Sequence, residues 1–166
     1  MLAVIFRRHS KIQTLTTSLI RFINILLAAL LAGVSFGIWI GFNPANLSAA
    51  SYLEQQQNTI SSLSVLMTSL VIIATLITII SAFLQRKNKG VFVALLIAAL
   101  FFIACILISA LGNKPIDKTI MTWTPDNLPA NWSIFRDRWW LLHIMRTISE
   151  LIALVLVTWT SIRKDK

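Results

Sequence analysis

Residues 91–111 read VFVALLIAALFFIACILISAL, a run of 21 residues without a charged side chain. A helix rises ~1.5 Å per residue, so this run extends ~31 Å, enough to cross the ~30 Å hydrocarbon core of a bilayer. Three other apolar runs are longer still, and the four predicted spans are 19–42, 60–84, 91–111 and 139–162. The predicted fold class is an all-α integral membrane protein, a bundle of four transmembrane helices.

The composition agrees with this prediction. Hydrophobic residues make up 57% of the 166 residues, charged residues only 13%, and the mean hydropathy is +0.78. A soluble domain of this length cannot bury so much apolar surface. The connections between spans are short, so we expect one membrane domain over residues 1–166. The first apolar run exceeds the core of about 7–15 residues in a cleaved signal peptide, so we expect a retained anchor.

Lys and Arg residues are distributed unevenly between the two ends of the predicted bundle. One end carries ten of them: Arg7, Arg8, Lys11, Arg21, Arg86, Lys87, Lys89, Arg163, Lys164 and Lys166. The other end carries four: Lys114, Lys118, Arg136 and Arg138. This asymmetry predicts that both termini are cytoplasmic in a multi-pass protein of the cell membrane, most simply a bacterial cytoplasmic membrane. The lipid bilayer is the expected partner of the basic residues, and no soluble basic surface indicates nucleic-acid binding.

The first span contains small residues at strict four-residue intervals, namely Ala29, Gly33, Gly37 and Gly41. In lipid, such a row lets two helix backbones approach closely. The row predicts close helix contact, either with another span of the same chain or with a second copy in a homodimer through Gly33, Gly37 and Gly41. The spacing alone leaves both interpretations open.

The fourth span carries three ionisable residues, His143, Arg146 and Glu150. Their spacings of three and four residues place them within roughly 60° of one another on a helix that turns ~100° per residue. A charge inside a membrane costs at least ~2.5 kcal/mol, so such residues usually face a protein interior or a wet cavity. This polar stripe therefore predicts a functional site.

Other polar residues are expected at the same end of the bundle as the polar stripe. Glu54 and Gln57 precede the second span, Asn113 and Asp117 follow the third, and Trp139 opens the fourth. Together they predict a cleft in the outer leaflet with a polar base and an aromatic mouth. Such a cleft suits a flat amphipathic molecule, for example a phenol or a quinone.

A structural role is the alternative for the polar stripe. Arg146 and Glu150 are four residues apart and can form an ion pair along one helix face. His143 can donate a hydrogen bond to a neighbouring carbonyl group. Such contacts would fix the fourth helix against the other three without binding a ligand.

Several of these residues occur in a familiar order. They are Gly33 through Gly41 with Pro44, Tyr52 with Gln56 and Asn58, Asn113-x-Pro115-Ile116, Trp132, and Trp139-x3-His143-x2-Arg146-Thr147. In this order, and in their placement relative to four spans, the chain resembles the family of small membrane proteins that includes the fungal anthrone oxygenases. The resemblance covers nearly the whole chain. It departs from the family pattern at Asp117, where an asparagine is expected.

The resemblance implies oxidation of a polyphenolic anthrone to an anthraquinone by dioxygen, without a bound metal or flavin. In such a reaction we expect His143 to be the base and Arg146 to stabilise the developing oxyanion. Glu150 would orient Arg146 or accept the proton. No cofactor and no metal site are expected, because the only histidines are His9 and His143, and one histidine with scattered carboxylates is not a metal site.

Two other function classes remain open. A small transporter would use His143 and Glu150 as a proton relay, but the same face continues inward with the apolar Leu154 and Val157. A non-catalytic assembly subunit would use the glycine row to contact a partner and the charges to lock its own helices together.

Overall fold

A computed structural model describes the backbone of residues 2–163 and the side chains of residues 14–163. The helices are α1 (Leu2–Gly41), α2 (Ala49–Leu84), α3 (Lys89–Ile108), α4 (Lys114–Ile120) and α5 (Trp132–Ile162). A π-helical segment, Ser109–Asn113, joins α3 to α4, and short 3₁₀ turns occur at Pro44–Asn46 and Pro125–Asn127. No β-strand occurs between residues 2 and 163.

Four helical segments of the described chain are long and apolar enough to cross a membrane: Thr14–Asn46, Ala49–Leu84, Lys89–Ile120 and Trp132–Ile162. The predicted four-helix membrane bundle is therefore confirmed, with each span longer than expected. The third continues past Leu111 through Pro115, and the π segment Ser109–Asn113 directly precedes this proline in the first turn of α4. Large apolar side chains such as Leu15 and Val65 are mostly exposed on the outside of the bundle, as lipid contact requires.

The orientation of the termini relative to the membrane stays a prediction. Part of its basis lies outside the described residues, namely Lys164, Lys166 and the side chains of Arg7, Arg8 and Lys11. We call the end of the bundle that carries both termini proximal, and the opposite end distal.

Short connections and local caps set where the spans begin. The Ser48 hydroxyl accepts a hydrogen bond from the Ser51 backbone N–H at 3.2 Å and caps α2. Asn88 caps α3 in the same way, with its side-chain oxygen 3.3 Å from the Val91 nitrogen. The turn before α3 is therefore tight, and α2 and α3 run antiparallel as neighbours.

The four spans pack in a square. Helix α1 packs against α2 and α5, and α3 packs against the same two helices. Fully buried alanines on different helices, including Ala28, Ala74, Ala98 and Ala153, lie in this core and allow close backbone approach. A second buried cluster closes the distal end of the bundle; its members are Tyr52, Leu53, Ile116, Ile120, Trp123 and Trp139.

The glycine row does not pack inside the chain. Gly33 and Gly37 are exposed on α1, and so is Gly41 at its end. A Cβ atom added at any of the three would meet no other atom within 4 Å. The interpretation as an intrachain packing surface is therefore wrong, because this face of α1 points away from the other three spans.

Candidate functional site

A cleft lies in the distal half of the bundle between α2, α5 and the continuous helix formed by α3, the π segment and α4. Its cavity volume is about 90 Å³. One water molecule needs about 10–15 Å³ on this measure, so the enclosed part of the cleft has room for several water molecules. The wall from α2 is mostly apolar, with Ile60, Leu63, Met67, Val71 and Ile72 among its residues.

Polar groups enter the cleft from the two helices that face α2. Arg146 and Glu150 of α5 line it, together with the predicted residues Asn113, Asp117 and Trp139. These five were expected from the sequence to form a single site, and they line the same cleft. Whether they bind or convert a ligand stays a prediction.

One stripe of this site was missed in the sequence. Cys105, Ser109, Asn113 and Asp117 occur at four-residue intervals and all line the cleft. Their regular spacing is the signal that could have identified Cys105 and Ser109 as site residues, since residues four apart share one helix face. Lys114 also lines the cleft, beside this stripe.

The π segment brings the distal part of this stripe against α5. The Asn113 side-chain nitrogen donates a hydrogen bond to the Trp139 carbonyl oxygen at 3.1 Å. Gly112 allows the close approach, because a Cβ atom there would lie 2.8 Å from a methyl group of Leu142. Single π turns inside α-helices often occur at functional sites. Here the π segment positions Asn113 and Asp117 at the edge of the cleft.

Asp117 and Trp139 form the aromatic border of the cleft. The Trp139 indole N–H donates to one carboxylate oxygen of Asp117 at 2.7 Å. Trp139 itself is only 4% exposed, so its ring position is fixed by packing as well as by this bond. The pair gives the cleft a rigid flat wall next to a carboxylate.

Arg146 lines the cleft, and its guanidinium contacts the imidazole ring of His143. The Arg146 guanidinium lies 3.3 Å (Nε) and 3.2 Å (Nη2) from His143 Nδ1. His143 Nε2 lies 3.1 Å from the Ser35 carbonyl oxygen on α1, which can only accept. Nε2 must therefore carry the ring proton, and the lone pair on Nδ1 faces Arg146.

His143 was expected to act as the base, but it does not lie where a base would contact a ligand in the cleft. Its ring is fully buried, does not line the cleft, and stacks on Trp139 at 5.2 Å and on Trp140 at 5.5 Å between centroids. Both ring nitrogens are engaged, by Ser35 and by Arg146. A general base needs a free lone pair within reach of the substrate proton, so this geometry argues against His143 as the base. The Nδ1 atom of His143 instead contacts the Arg146 guanidinium.

Glu150 lies at the buried base of the cleft. One of its oxygens accepts a hydrogen bond from the Cys105 thiol at 3.0 Å. The other, Oε2, has no hydrogen-bond partner of good geometry among the described residues, although the Ser35 side chain lies beside it. Among those residues Glu150 and Arg146 form no ion pair within 4.0 Å, but they interact through space. The direct pair expected from a purely structural role is therefore not formed.

Glu54 and Gln57 lie outside the cleft. Glu54 is exposed at the distal end of the bundle. The Gln57 side-chain nitrogen donates to the carbonyl oxygens of Ile120 at 3.0 Å and Trp123 at 2.9 Å. Gln57 therefore ties α2 to the end of α4, which closes the bundle above the cleft, and the structure gives neither residue a contact with the cavity.

A second group of polar side chains is buried close to the site, in the distal cluster. Tyr52 and Gln56, one turn apart on α2, are fully buried. Within the described part of the chain, neither the Tyr52 hydroxyl nor the Gln56 amide has a hydrogen-bond partner. The described side chains contain no group of three His, Cys, Asp or Glu residues that could hold a metal ion.

Comparison with known proteins places the chain in a family. The sequence model of the family described as anthrone oxygenase matches residues 57–156, more than half of the chain. The match includes most of α2 and α5 and all of α3 and α4, and so the whole cleft apart from its α1 contribution. No curated protein and no solved structure shows significant similarity. The chain belongs to the anthrone oxygenase family.

Proposed function

We propose that this member of the anthrone oxygenase family binds a flat phenolic or quinone-like molecule in the distal cleft and oxidises it with dioxygen, without a bound cofactor. One observation carries the proposal. A guanidinium group (Arg146) and a buried carboxyl group (Glu150) face one cavity that also has a flat aromatic border at Trp139 and an apolar wall. An acid–base group and a cation beside an apolar slot are what deprotonation of a flat phenol requires.

Arg146 is the anion-stabilising group in this proposal. Its guanidinium is held by His143 at 3.2 Å, and His143 is held by Ser35 on another helix and by stacking on Trp139. A cation fixed in place before the reaction stabilises a developing oxyanion without a reorganisation cost. We therefore assign His143 as a positioning residue for Arg146.

Glu150 is the proton acceptor. Glu150 lines the cleft, its Oε2 atom has no hydrogen-bond partner among the described residues, and the Cys105 thiol bonds the other oxygen. This replaces the expected role of His143, whose lone pair is directed at Arg146.

The reaction balances with these two groups alone. Glu150 removes a proton from an activated methylene of the bound phenol, and Arg146 holds the enolate oxygen. The carbanion transfers its electron pair to dioxygen, a carbon–oxygen bond forms, and Glu150 returns the proton to the peroxide. Loss of the second methylene hydrogen as a proton and cleavage of the O–O bond give a ketone and water. Dioxygen is the oxidant, so no further redox group is needed.

A transport function is less well supported by the arrangement of polar groups. In the proximal half, Thr78 donates to Asn24 at 2.8 Å and Arg21 donates to Gln85 at 2.8 Å. Between this layer and the cleft lie Ala28, Leu31, Val71 and Ala74 of the apolar core, which are less than 5% exposed. A continuous polar path from one end to the other would be required for proton-coupled transport.

Assembly with a second copy of the chain is the second candidate function. The observation that favours it is the outward direction of Gly33, Gly37 and Gly41 on α1. A row of glycines on a lipid-facing surface allows close contact with another helix. A homodimer through this row is compatible with the oxidation, since the cleft lies mainly between the other three spans.

The proposed location is a cell membrane, such as a bacterial cytoplasmic membrane, with both termini in the cytoplasm. Arg86, Lys87 and Lys89 lie at the proximal end, beside the termini, and support this orientation. Reporter fusions that place the turn between α2 and α3 outside the cytoplasm would reverse the assignment.

Oxygen consumption tests the oxidation. Purified protein in proteoliposomes should consume dioxygen and convert a dihydroxyanthrone to the anthraquinone faster than empty liposomes. Glu150→Gln should lose most of this activity, and Arg146→Met should lose a factor of about 10²–10³, as for removal of one oxyanion-stabilising donor. Arg136→Met is the matched control and should retain activity, because Arg136 lies outside the cleft and pairs with Asp137.

Two results would contradict the proposal. Full activity in a folded Glu150→Gln variant would exclude Glu150 as the proton acceptor. Binding of the anthraquinone that is unaffected by Arg146→Met and Glu150→Gln together would show that the ligand does not occupy this cleft.

A further inference from the structure

The direction in which the cleft opens follows from its rim. Of the residues that line it, Ile72 on α2 is 45% exposed and Ala110 is exposed on the facing helix. Thr68 and Ser64, one and two turns from Ile72, and Ile106, one turn from Ala110, are partly exposed. The two most exposed lining residues, Ile72 and Ala110, therefore face each other across a slot between α2 and the helix that continues α3. We call these five residues, Ser64, Thr68, Ile72, Ile106 and Ala110, the slot.

The depth of the slot follows from helix geometry. Helix α2 ends proximally at Leu84, and Arg86 and Lys87 follow at the membrane surface. At ~1.5 Å per residue, Ile72 lies ~18 Å and Thr68 ~24 Å from Leu84 along the helix axis. The hydrocarbon layer is ~30 Å thick, so this part of the slot lies inside it, in the leaflet at the distal end.

At the distal end above the slot, α2 is hydrogen-bonded to the end of α4 and to the residues that follow it. Gln57 on α2 donates two hydrogen bonds to carbonyl oxygens at the end of α4 and beyond it, at Ile120 and Trp123. Ile120 is fully buried and Trp123 is 8% exposed in the distal cluster. The two helices that border the slot are therefore joined beyond it by these hydrogen bonds.

Small side chains keep the slot open. Ser64 and Thr68 lie on the α2 rim of the slot. The π segment contributes Ala110 to the other rim, and the neighbouring Ser109 lines the cleft behind it. Thr68 bonds the Ser64 carbonyl of its own helix at 2.8 Å, so its hydroxyl is satisfied without water. An aromatic molecule that moves from the acyl chains toward Arg146 therefore passes a Thr68 hydroxyl that is already hydrogen-bonded.

We propose that the ligand enters the cleft sideways from the lipid, through the slot between α2 and α3, as a neutral planar aromatic molecule dissolved among the acyl chains. The inference rests on the proposed function and specifies its substrate class. Molecules that carry a permanent charge are excluded, because crossing the hydrocarbon costs them at least ~2.5 kcal/mol. Ionisation occurs only after entry, at Glu150 and Arg146.

Association kinetics in proteoliposomes test the route. The probe is neutral 1,8-dihydroxyanthraquinone, followed by its own fluorescence in stopped-flow mixing. Ala110→Trp and Thr68→Trp narrow the slot from opposite sides and should each slow association by about tenfold or more, as obstruction acts mainly on the on-rate. Leu107→Trp is the matched control. Leu107 is 52% exposed on α3 and does not line the cleft, so the probe should associate with the Leu107→Trp variant at the wild-type rate.

Each outcome decides the proposal. Wild-type association rates in both slot variants, with thermal melts that show intact folding, would overturn lateral entry while leaving the binding cleft in place. Equally fast association of a sulfonated anthraquinone would overturn it as well, because that anion cannot enter through hydrocarbon. If the wild-type protein binds neither probe, the proposed function itself fails, and lateral entry fails with it.

Discussion

Replacing His143 by Phe is expected to remove two polar contacts while keeping the aromatic packing. Phe retains a ring that can stack on Trp139 and Trp140, but it cannot donate to the Ser35 carbonyl or accept from Arg146. Interhelical hydrogen bonds in membranes contribute ~0.6 kcal/mol on average and at most ~1.7 kcal/mol each. The bond to Ser35 joins two helices and the contact with Arg146 lies within α5; with this range applied to each, the loss of both should lower the free energy of unfolding by about 1–3 kcal/mol.

A double-mutant cycle separates the contact with Arg146 from the other effects. His143→Phe, Arg146→Met and the double variant should show a coupling energy of about 0.6–1.7 kcal/mol, because either single change removes the same bond. The matched control pairs His143→Phe with Arg136→Met. Arg136 contacts Asp137 and Trp132 instead, so these effects should add within about 0.5 kcal/mol.

The assay is reversible unfolding in mixed micelles, with far-ultraviolet circular dichroism recorded as SDS is added. A coupling energy between His143 and Arg146 no larger than that of the control pair would refute the reasoning. It would mean that His143 does not orient the Arg146 guanidinium, and the role assigned to His143 in the cleft would have to be abandoned.

Three further changes test other parts of the structure. Gly37→Leu should leave the melting temperature of the monomer unchanged, because an added Cβ meets no atom within 4 Å. If the glycine row is a dimer contact, the same change should abolish dimerisation measured by energy transfer. Leu30→Phe, which also alters the exposed surface of α1, is the control. Asp117→Asn keeps an acceptor for the Trp139 N–H and should cost about 1 kcal/mol in the same SDS titration, whereas a loss above 3 kcal/mol would show that the carboxylate holds more than this bond. Gln56→Leu should raise the free energy of unfolding by about 1 kcal/mol, since the buried amide has no partner among the described residues; a decrease instead would reveal a bound water.

The four spans could be predicted from the sequence because hydrophobic length alone decides whether a helix can cross a bilayer. The face formed by Arg146 and Glu150 could be predicted for a similar reason, since spacings of three and four residues fix positions on one helix without reference to its neighbours. Asn113 and Trp139 were also expected near this face. Their hydrogen bond also depends on the π segment and on Gly112, which were not predicted from the sequence.

The surroundings of each face could not be predicted in this way. Periodicity places Gly33 and Gly37 on one side of α1, but whether that side meets a helix or lipid depends on how all four spans rotate. The same limit applies to His143. Its spacing puts it next to Arg146, yet the direction of its lone pair depends on Ser35, 108 residues away in the chain. The Ser35 carbonyl oxygen accepts a hydrogen bond from Nε2–H, which leaves the Nδ1 lone pair directed at Arg146.

The position of Glu150 fits the proton balance of the proposed oxidation. Oxidation of a methylene by dioxygen to a ketone and water neither consumes nor releases protons overall, so the base needs no permanent exchange with bulk solvent. Glu150 is 1% exposed, and the buried residues Leu31 and Val71 lie between it and the polar groups of the proximal half. A carboxyl group in this place can accept a proton from the ligand and return it within one turnover. A proton relay would instead require a neighbouring polar group to which Glu150 could pass the proton. The isolation of Glu150 from the proximal polar groups therefore favours the proposed oxidation over proton-coupled transport.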